Sequence, residues 1–214
     1  MKVALNKNAL KQQRDKLALY RRYLPSLELK RQQLLAAWRT AQRDLAEADA
    51  EIAALDAHSE PLLSLLGGST IPTRDLARLV RVREVSLGEE NVVGVRVPTV
   101  EAVEFERVAY STLALPFWVD AVVENLEALA RLRVRRQVAA ARERALEAAS
   151  RKIAQRVNLF EKVLIPTAAE NIGRIRIALS DQDRAAVVRS KLAKRKRAAS
   201  TRGDRTASAR GAGS

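Results

Sequence analysis

The residues that invite a chemical reading are few and scattered. Gly67-Gly68-Ser69-Thr70 places glycines before hydroxyls, as a phosphate-cradling loop would, but no Lys follows to reach a phosphate. The four residues read instead as a helix stop followed by a loop. His58 is the single His and the chain has no Cys, so no pair of soft ligands is available to hold a metal. It reads as a partner for carbonyls near the end of a helix. Glu89-Glu90 is a carboxylate pair, yet neighbours on a turn point apart and cannot divide acid and base work across one bond. The acids between Glu143 and Glu147 have the spacing of outer-face helix charge. The expectation is therefore no catalytic, cofactor-binding or metal-binding residue and no cofactor, and a hydrolytic enzyme is disfavoured.

Charge gives a stronger signal than chemistry. The chain of 214 residues has 39 Lys and Arg against 25 Asp and Glu, a formal net charge of +14. Such a surplus selects an anionic partner. It is concentrated at one end, where Arg189 to Ser214 carries nine basic residues and one acid, Asp204. Lys194-Arg195-Lys196-Arg197 could meet nucleic acid or anionic lipid. No aromatic side chains interleave with it to stack on bases, and no recognition module precedes it. A stand-alone coiled-coil scaffold with a nucleic-acid-binding tail is the alternative reading this tail supports. Met1 to Arg14 lacks the apolar core of a signal peptide, and the apolar run from Ser111 to Val123 is broken by Pro116 and Asp120 and is too short to cross a bilayer. A cytoplasmic protein is expected.

The elements that carry these residues follow from periodicity. A heptad laid from Leu17 has core slots filled by Leu17, Tyr20, Leu24, Leu27, Arg31, Leu34, Trp38, Ala41, Leu45, Ala48, Ile52, Leu55, Ser59, Leu62 and Leu66. All but Arg31 and Ser59 are apolar in a chain that is 47% apolar, so the stripe is a coiled-coil seam. Asn6 or Asn8 caps its start and Gly67-Gly68 supplies its stop. Some sixty helical residues span about 90 Å. Pro25 should kink this helix, and Pro61 should end it early.

Between Thr70 and Phe105 the period shortens. Val80, Val82 and Val85 alternate with charged residues, Gly88-Glu89-Glu90-Asn91 marks a turn, and Val92 to Val97 reads as a second strand. Val100, Val103 and Phe105 suggest a third. After Pro116 a helical stripe returns at a strict seven: Trp118, Asn125, Leu132, Ala139, Leu146, Ile153 and Phe160. Its companion stripe is polar at Arg136, Glu143 and Ser150. Further on the seam continues through Ile153, Val157, Phe160, Leu164, Ala168, Ile172, Ile175 and Leu179. The steps from Val157 to Ala168 make an eleven-residue unit, which favours local straightening or right-handed winding, and Pro166 falls inside it.

Two helices with an insert between them bury their seams only by folding back on each other. The fold class predicted is mainly α, a long antiparallel two-helix coiled-coil hairpin with a small β-hairpin insert between the helices. Its parts are a long helix over 1–66, a loop and β-hairpin over 67–115, a second long helix over 116–197, and a disordered basic tail over 198–214. With Leu5 set against Ala186, Pro25 and Pro166 fall at one level.

Three blocks carry the reading further. Gln155-Arg156-Val157-Asn158-Leu159-Phe160-Glu161-Lys162-Val163-Leu164-Ile165-Pro166 stands near the far end, followed by Ile172, Ile175-Arg176 and Leu179. Gly88-Glu89-Glu90-Asn91-Val92-Val93-Gly94-Val95-Arg96-Val97-Pro98 lies in the middle, and Leu5-Asn6-Lys7-Asn8-Ala9-Leu10 at the start. Together, over residues 3 to 197, they resemble the D subunit of the V-type rotary ATPases. Leu159-Phe160 departs from the family's usual Ala-Leu, Val187 to Leu192 departs from its aromatic-rich end, and the last seventeen residues have no counterpart. The resemblance implies a non-catalytic central rotor stalk. Its helical tip would enter the ring of A and B subunits, its middle would bind the small F subunit, and its far end would sit on the membrane rotor's adaptor. It would thus belong to the soluble sector, peripheral to the membrane. On this reading Arg156, Asn158, Glu161, Ile165, Pro166 and Arg176 belong to the ring-contacting tip. Lys2, Lys7, Lys11, Arg14, Lys16, Arg21 and Arg22, with Arg174, Arg176, Arg184 and Arg189, give that tip a basic face suited to an acidic bore.

Overall fold

The computed structural model describes residues 4–68, 71–110 and 115–211. The side chains at 63, 65, 66 and 73 and from 196 onward lie outside what it describes, so the seam slot at Leu66 and the side chains of Lys196 and Arg197 do too. Ser69, Thr70 and residues 111–114 are also outside it. The chain is mainly α. Helix α1 is Lys7–Gly67 and α2 is Thr73–Leu76. Strands β1 and β2 are Val80–Val92 and Val95–Arg107. Helix α3 is Trp118–Leu159, a π-helical turn covers Phe160–Leu164, and α4 is Ile165–Gly211. Contacts divide the chain into two units, Met1–Pro25 with Asn158–Ser214, and Ser26–Val157.

Local chemistry explains where the first helix starts and why it does not stop early. The Asn6 side chain accepts the Ala9 backbone N–H at 2.7 Å, so Asn6 rather than Asn8 is the cap. α1 then runs through both prolines to Gly67, against the expectation that Pro61 ends it. A proline inside a helix removes one backbone donor; on either side of Pro61 a hydroxyl bonds back onto the helix, Ser59 Oγ donating to the Leu55 carbonyl at 2.7 Å and Ser64 Oγ to that of Glu60 at 3.3 Å. α4 likewise covers 198–211, where a disordered tail was expected. That stretch contains no Pro, and Ala and Arg make up half of it; Gly203 and its Ser, Thr and Asp residues are the weaker helix formers.

In the unit formed by Ser26–Val157, Leu34, Ala41 and Ala48 recur at seven residues and are buried. Leu146 and Ile153 are buried at the same spacing on α3. The two helices run antiparallel: Trp38 pairs with Glu143, Asp49 with Arg136, Glu51 with Arg135 and Ser59 with Asn125. A second core lies where α2 and the start of α3 meet, around Leu76, Trp118, Val119, Val122 and Val123.

The insert is one two-stranded antiparallel ribbon, not three strands. Gly88 to Asn91 do not form its turn; they lie within β1. The turn is Val93-Gly94, with φ of 53° and 81°, closing the pair Val92 and Val95. Positive φ at both central residues is the geometry that matches the twist of a tight hairpin. Gly94 adopts it freely, and Asn91 Oδ1 accepts the Gly94 N–H at 2.8 Å. Val93 is β-branched and adopts it against its own preference, at a cost of about 1–3 kcal/mol. It is retained by packing: Val92, Val93 and Val95 lie against the core of Leu34, Ala41, Val97, Leu146 and Ile153. Sequence alternation could not place this turn, because the apolar stripe changes face midway along the ribbon.

In the other unit the first helix and α4 also run antiparallel. The rings of Tyr20 and Phe160 meet edge to face, with centroids 5.5 Å apart and planes at 77°. The expected register would have set Tyr20 against Asn171. The ring contact departs from that, whereas Leu10 shares a hollow with Arg176, Leu179 and Ser180, close to its expected partner Asp181. The π-turn Phe160–Leu164 sits where the heptad spacing breaks, directly before Pro166, and closes with the Ile165 N–H bonded to the Phe160 carbonyl. One wider turn takes up the residue that disturbs the spacing and relieves the crowding a proline imposes on the preceding turn.

Candidate interaction surfaces

The anticipated seam residues are placed as follows. Leu17, Tyr20 and Leu24 are half-buried in the unit of Met1–Pro25 and Asn158–Ser214, as are Phe160, Leu164 and Leu179, while Ile172 and Ile175 are buried. In the unit of Ser26–Val157, Leu34, Ile153 and Val157 are buried, and Leu27, Trp38, Leu45, Ile52 and Leu55 are half-buried.

The residues assigned to the ring-contacting tip are outward-facing. Arg156, Asn158, Glu161, Pro166 and Arg176 are exposed and Ile165 is half-buried. Lys7, Lys11, Arg14, Arg174, Arg184 and Arg189 are exposed as well, and among the described residues none of them enters an ion pair. Lys2 lies outside the described residues. From Ser180 to Arg195 every residue of α4 is exposed, including Val187, Val188 and Leu192. Exposed cations with aliphatic groups interleaved among them can attract an acidic surface through space.

Sequence reasoning missed the polar ties within the unit of Ser26–Val157. In the sequence Arg136 and Glu143 read only as a weakening of the second stripe of α3. In the fold Arg136 Nε donates to Asp49 at 2.5 Å, and Glu143 accepts the Trp38 indole N–H at 2.7 Å. Arg135 adds a further tie, its Nη1 donating to both carboxylate oxygens of Glu51 at 3.0 and 2.8 Å. These bonds fix register and rotation between the helices more narrowly than aliphatic packing does. A polar interruption at core-slot spacing, matched by an opposite charge on the other helix, is the signal that would have found them.

The ribbon is tied at both ends. At its tip Arg142 pairs with Glu90 at 2.9 Å. At its base Arg107 makes a two-pronged bond to Glu127, and the Arg131 guanidinium stacks 4.9 Å from the Phe105 ring centre. Glu127 is a buried acid, 6% exposed. The Arg107 hydrogen bonds hold its carboxyl below the ordinary carboxylate range, against the opposing effect of burial. The Tyr110 hydroxyl donates to Asp120 at 2.7 Å, which raises the phenol's pKa.

A half-open cavity of about 220 Å³ lies between the end of α1, α2 and α3, lined mainly by Leu55, Leu62, Leu76, Val122, Leu126 and Leu129. Among the described residues its polar lining consists of Asp56, Ser59 and Asn125. His58 is exposed within α1, well before its end, and among the described residues no cluster suited to a metal ion exists. Nor, among them, is any helix long and apolar enough to cross a membrane.

Comparison with known proteins gives one consistent answer. The family profile of the ATP synthase D subunit matches residues 9–195. The V-type ATP synthase D subunit of Borreliella burgdorferi is 37% identical over 193 residues, which cover 90% of this chain and 94% of that protein. The proteins of the same name from Chlamydia felis and Chlamydia pneumoniae are 35% and 33% identical, over 91% and 92% of this chain and 93% of each relative.

Proposed function

The chain belongs to the ATP synthase D-subunit family, and from that premise we propose that it is the axle of a V-type rotary ATPase. Its tip would lie in the bore of the A and B ring, its middle would carry the F subunit, and its far end would rest on the adaptor of the membrane rotor. Ion flow would turn it and drive the ring's catalytic sites through their states in sequence; ATP hydrolysis would turn it the other way. It would contribute no catalytic group. The observation that carries this reading is the family match along nearly the whole of both long helices.

The physical features suit the work. Torque passes through a helix pair only if the helices do not rotate against each other, and the ties of Arg135, Arg136 and Trp38 oppose that rotation. A tip that turns inside a ring should avoid strong fixed ion pairs to it, and a face of exposed unpaired cations attracts diffusely. A pull-down tests the proposal: the tagged full-length chain should retain the A, B and F subunits, and the isolated chain should show no ATPase activity. Binding to DNA with steep salt dependence, and indifference to those subunits, would favour the scaffold with a nucleic-acid-binding tail.

A further inference from the structure

The ribbon has an open edge that the axle reading does not use. Val92 and Val95 flank the two-residue turn and so form a hydrogen-bonded pair. Pairs alternate from there, so at Asn91, Glu89 and Leu87 the backbone N–H and C=O of β1 point away from β2. None of the three makes another backbone bond among the described residues, and all three side chains are exposed. On the other strand, the outward position opposite Glu89 is Pro98, which has no donor, and the unpaired Glu101 interrupts that edge again. β1 is interrupted as well, but only near its start, where Arg83 is unpaired; from Glu84 to Asn91 its outer edge is continuous, whereas that of β2 is not.

The side chains beside the open edge specify an occupant. Val82, Val85, Leu87, Val100, Val103 and Phe105 share one face through their cross-strand pairing. Val82, Leu87 and Val100 are 44%, 56% and 36% exposed there. On the opposite face Glu84 stands directly across from Glu104, both exposed and neither in an ion pair among the described residues. Like charges directly opposite destabilise a ribbon until cations neutralise them. The span from Val80 to Arg107 holds four Arg against six Glu, in a chain whose net charge is +14. A two-stranded ribbon is also the least stable form of sheet, and a third strand strengthens it.

We propose that the outer edge of β1, from Glu84 to Asn91, receives an extended protein segment in which apolar residues alternate with Lys or Arg. The apolar residues extend the face of Val85 and Leu87, and the basic ones lie against Glu84 and Glu104. Nucleic acid and acidic segments are repelled by the same carboxylates.

The test uses the full-length chain, a nine-residue peptide alternating Val and Lys, and isothermal titration calorimetry. It needs no other subunit, so its outcome is independent of the axle role. Saturable binding is expected. A peptide with Glu in place of Lys should bind at least about tenfold more weakly. N-methylation of one alternate set of peptide amides should abolish binding, while methylation of the other set leaves it within about threefold. Leu87→Pro, which removes one outward donor from β1, should reproduce the loss; if that variant fails to fold, the N-methylated peptides decide. Equal binding by the Val/Glu peptide, indifference to both methylations, or no binding of the Val/Lys peptide overturns the proposal.

Discussion

Arg107, the last residue of β2, grips Glu127 of α3 with two nitrogens, Nε at 2.5 Å from one carboxylate oxygen and Nη2 at 3.0 Å from the other. This bond ties the base of the ribbon to the helix beside it. Because the folded carboxyl has a lowered pKa, its contribution to stability is present above the unfolded value of about 4.3 and is lost as pH falls through the folded one. Glu127→Gln should therefore melt lower than the parent at pH 7, and the gap should narrow on acidification to pH 3. Circular-dichroism melts across that range check it; a gap independent of pH would show that the charge on Glu127 is immaterial.

The two ribbon glycines should respond in the reverse order of their crowding. A Cβ at Gly88 would fall 2.4 Å from Glu101 Oε1, which can swing away, and 2.9 Å from Oγ1 of Thr99, whose short β-branched side chain must turn about χ1, so Gly88→Ala should cost about 1 kcal/mol. At Gly94 the nearest atom is Lys30 Nζ at 3.3 Å, and that long side chain yields easily. Its φ of 81° does not yield, so Gly94→Ala should cost about 1–2 kcal/mol. Urea denaturation of both variants measures the difference. Rescue of Gly94→Ala by Lys30→Ala would mean that contact, not backbone strain, is the cause.

The Tyr20 and Phe160 rings meet edge to face across their helix pair. A double-mutant cycle through Tyr20→Leu and Phe160→Leu should return a coupling of about 0.5–1.5 kcal/mol. Additive losses would mean that the rings merely fill space.

If the tip turns within an acidic bore, its cations act together and through space. Converting Lys11, Arg14, Arg174 and Arg184 to Gln should weaken assembly with the A and B ring and flatten its salt dependence. The melting temperature of the isolated chain should change little, since all four side chains are exposed and none is in an ion pair among the described residues. Unchanged assembly between low and high salt would remove the electrostatic account of the tip.

Periodicity alone made the helices, the insert and its strand character legible. The seven-residue recurrence of Leu34, Ala41 and Ala48, or of Leu146 and Ile153, follows from helical geometry and from the need to hide an apolar stripe. The blocks around Arg156 to Pro166 and Gly88 to Pro98 carried the family, because motifs are written in order along a chain. Register, however, depends on which residue meets which, and only tertiary structure set Tyr20 against Phe160 and Arg136 against Asp49. The ribbon's turn lay hidden for a similar reason. Val93 holds a positive φ because a core made of Leu34, Ala41, Val97, Leu146 and Ile153 receives it, and residues so distant in sequence cannot announce that local pattern.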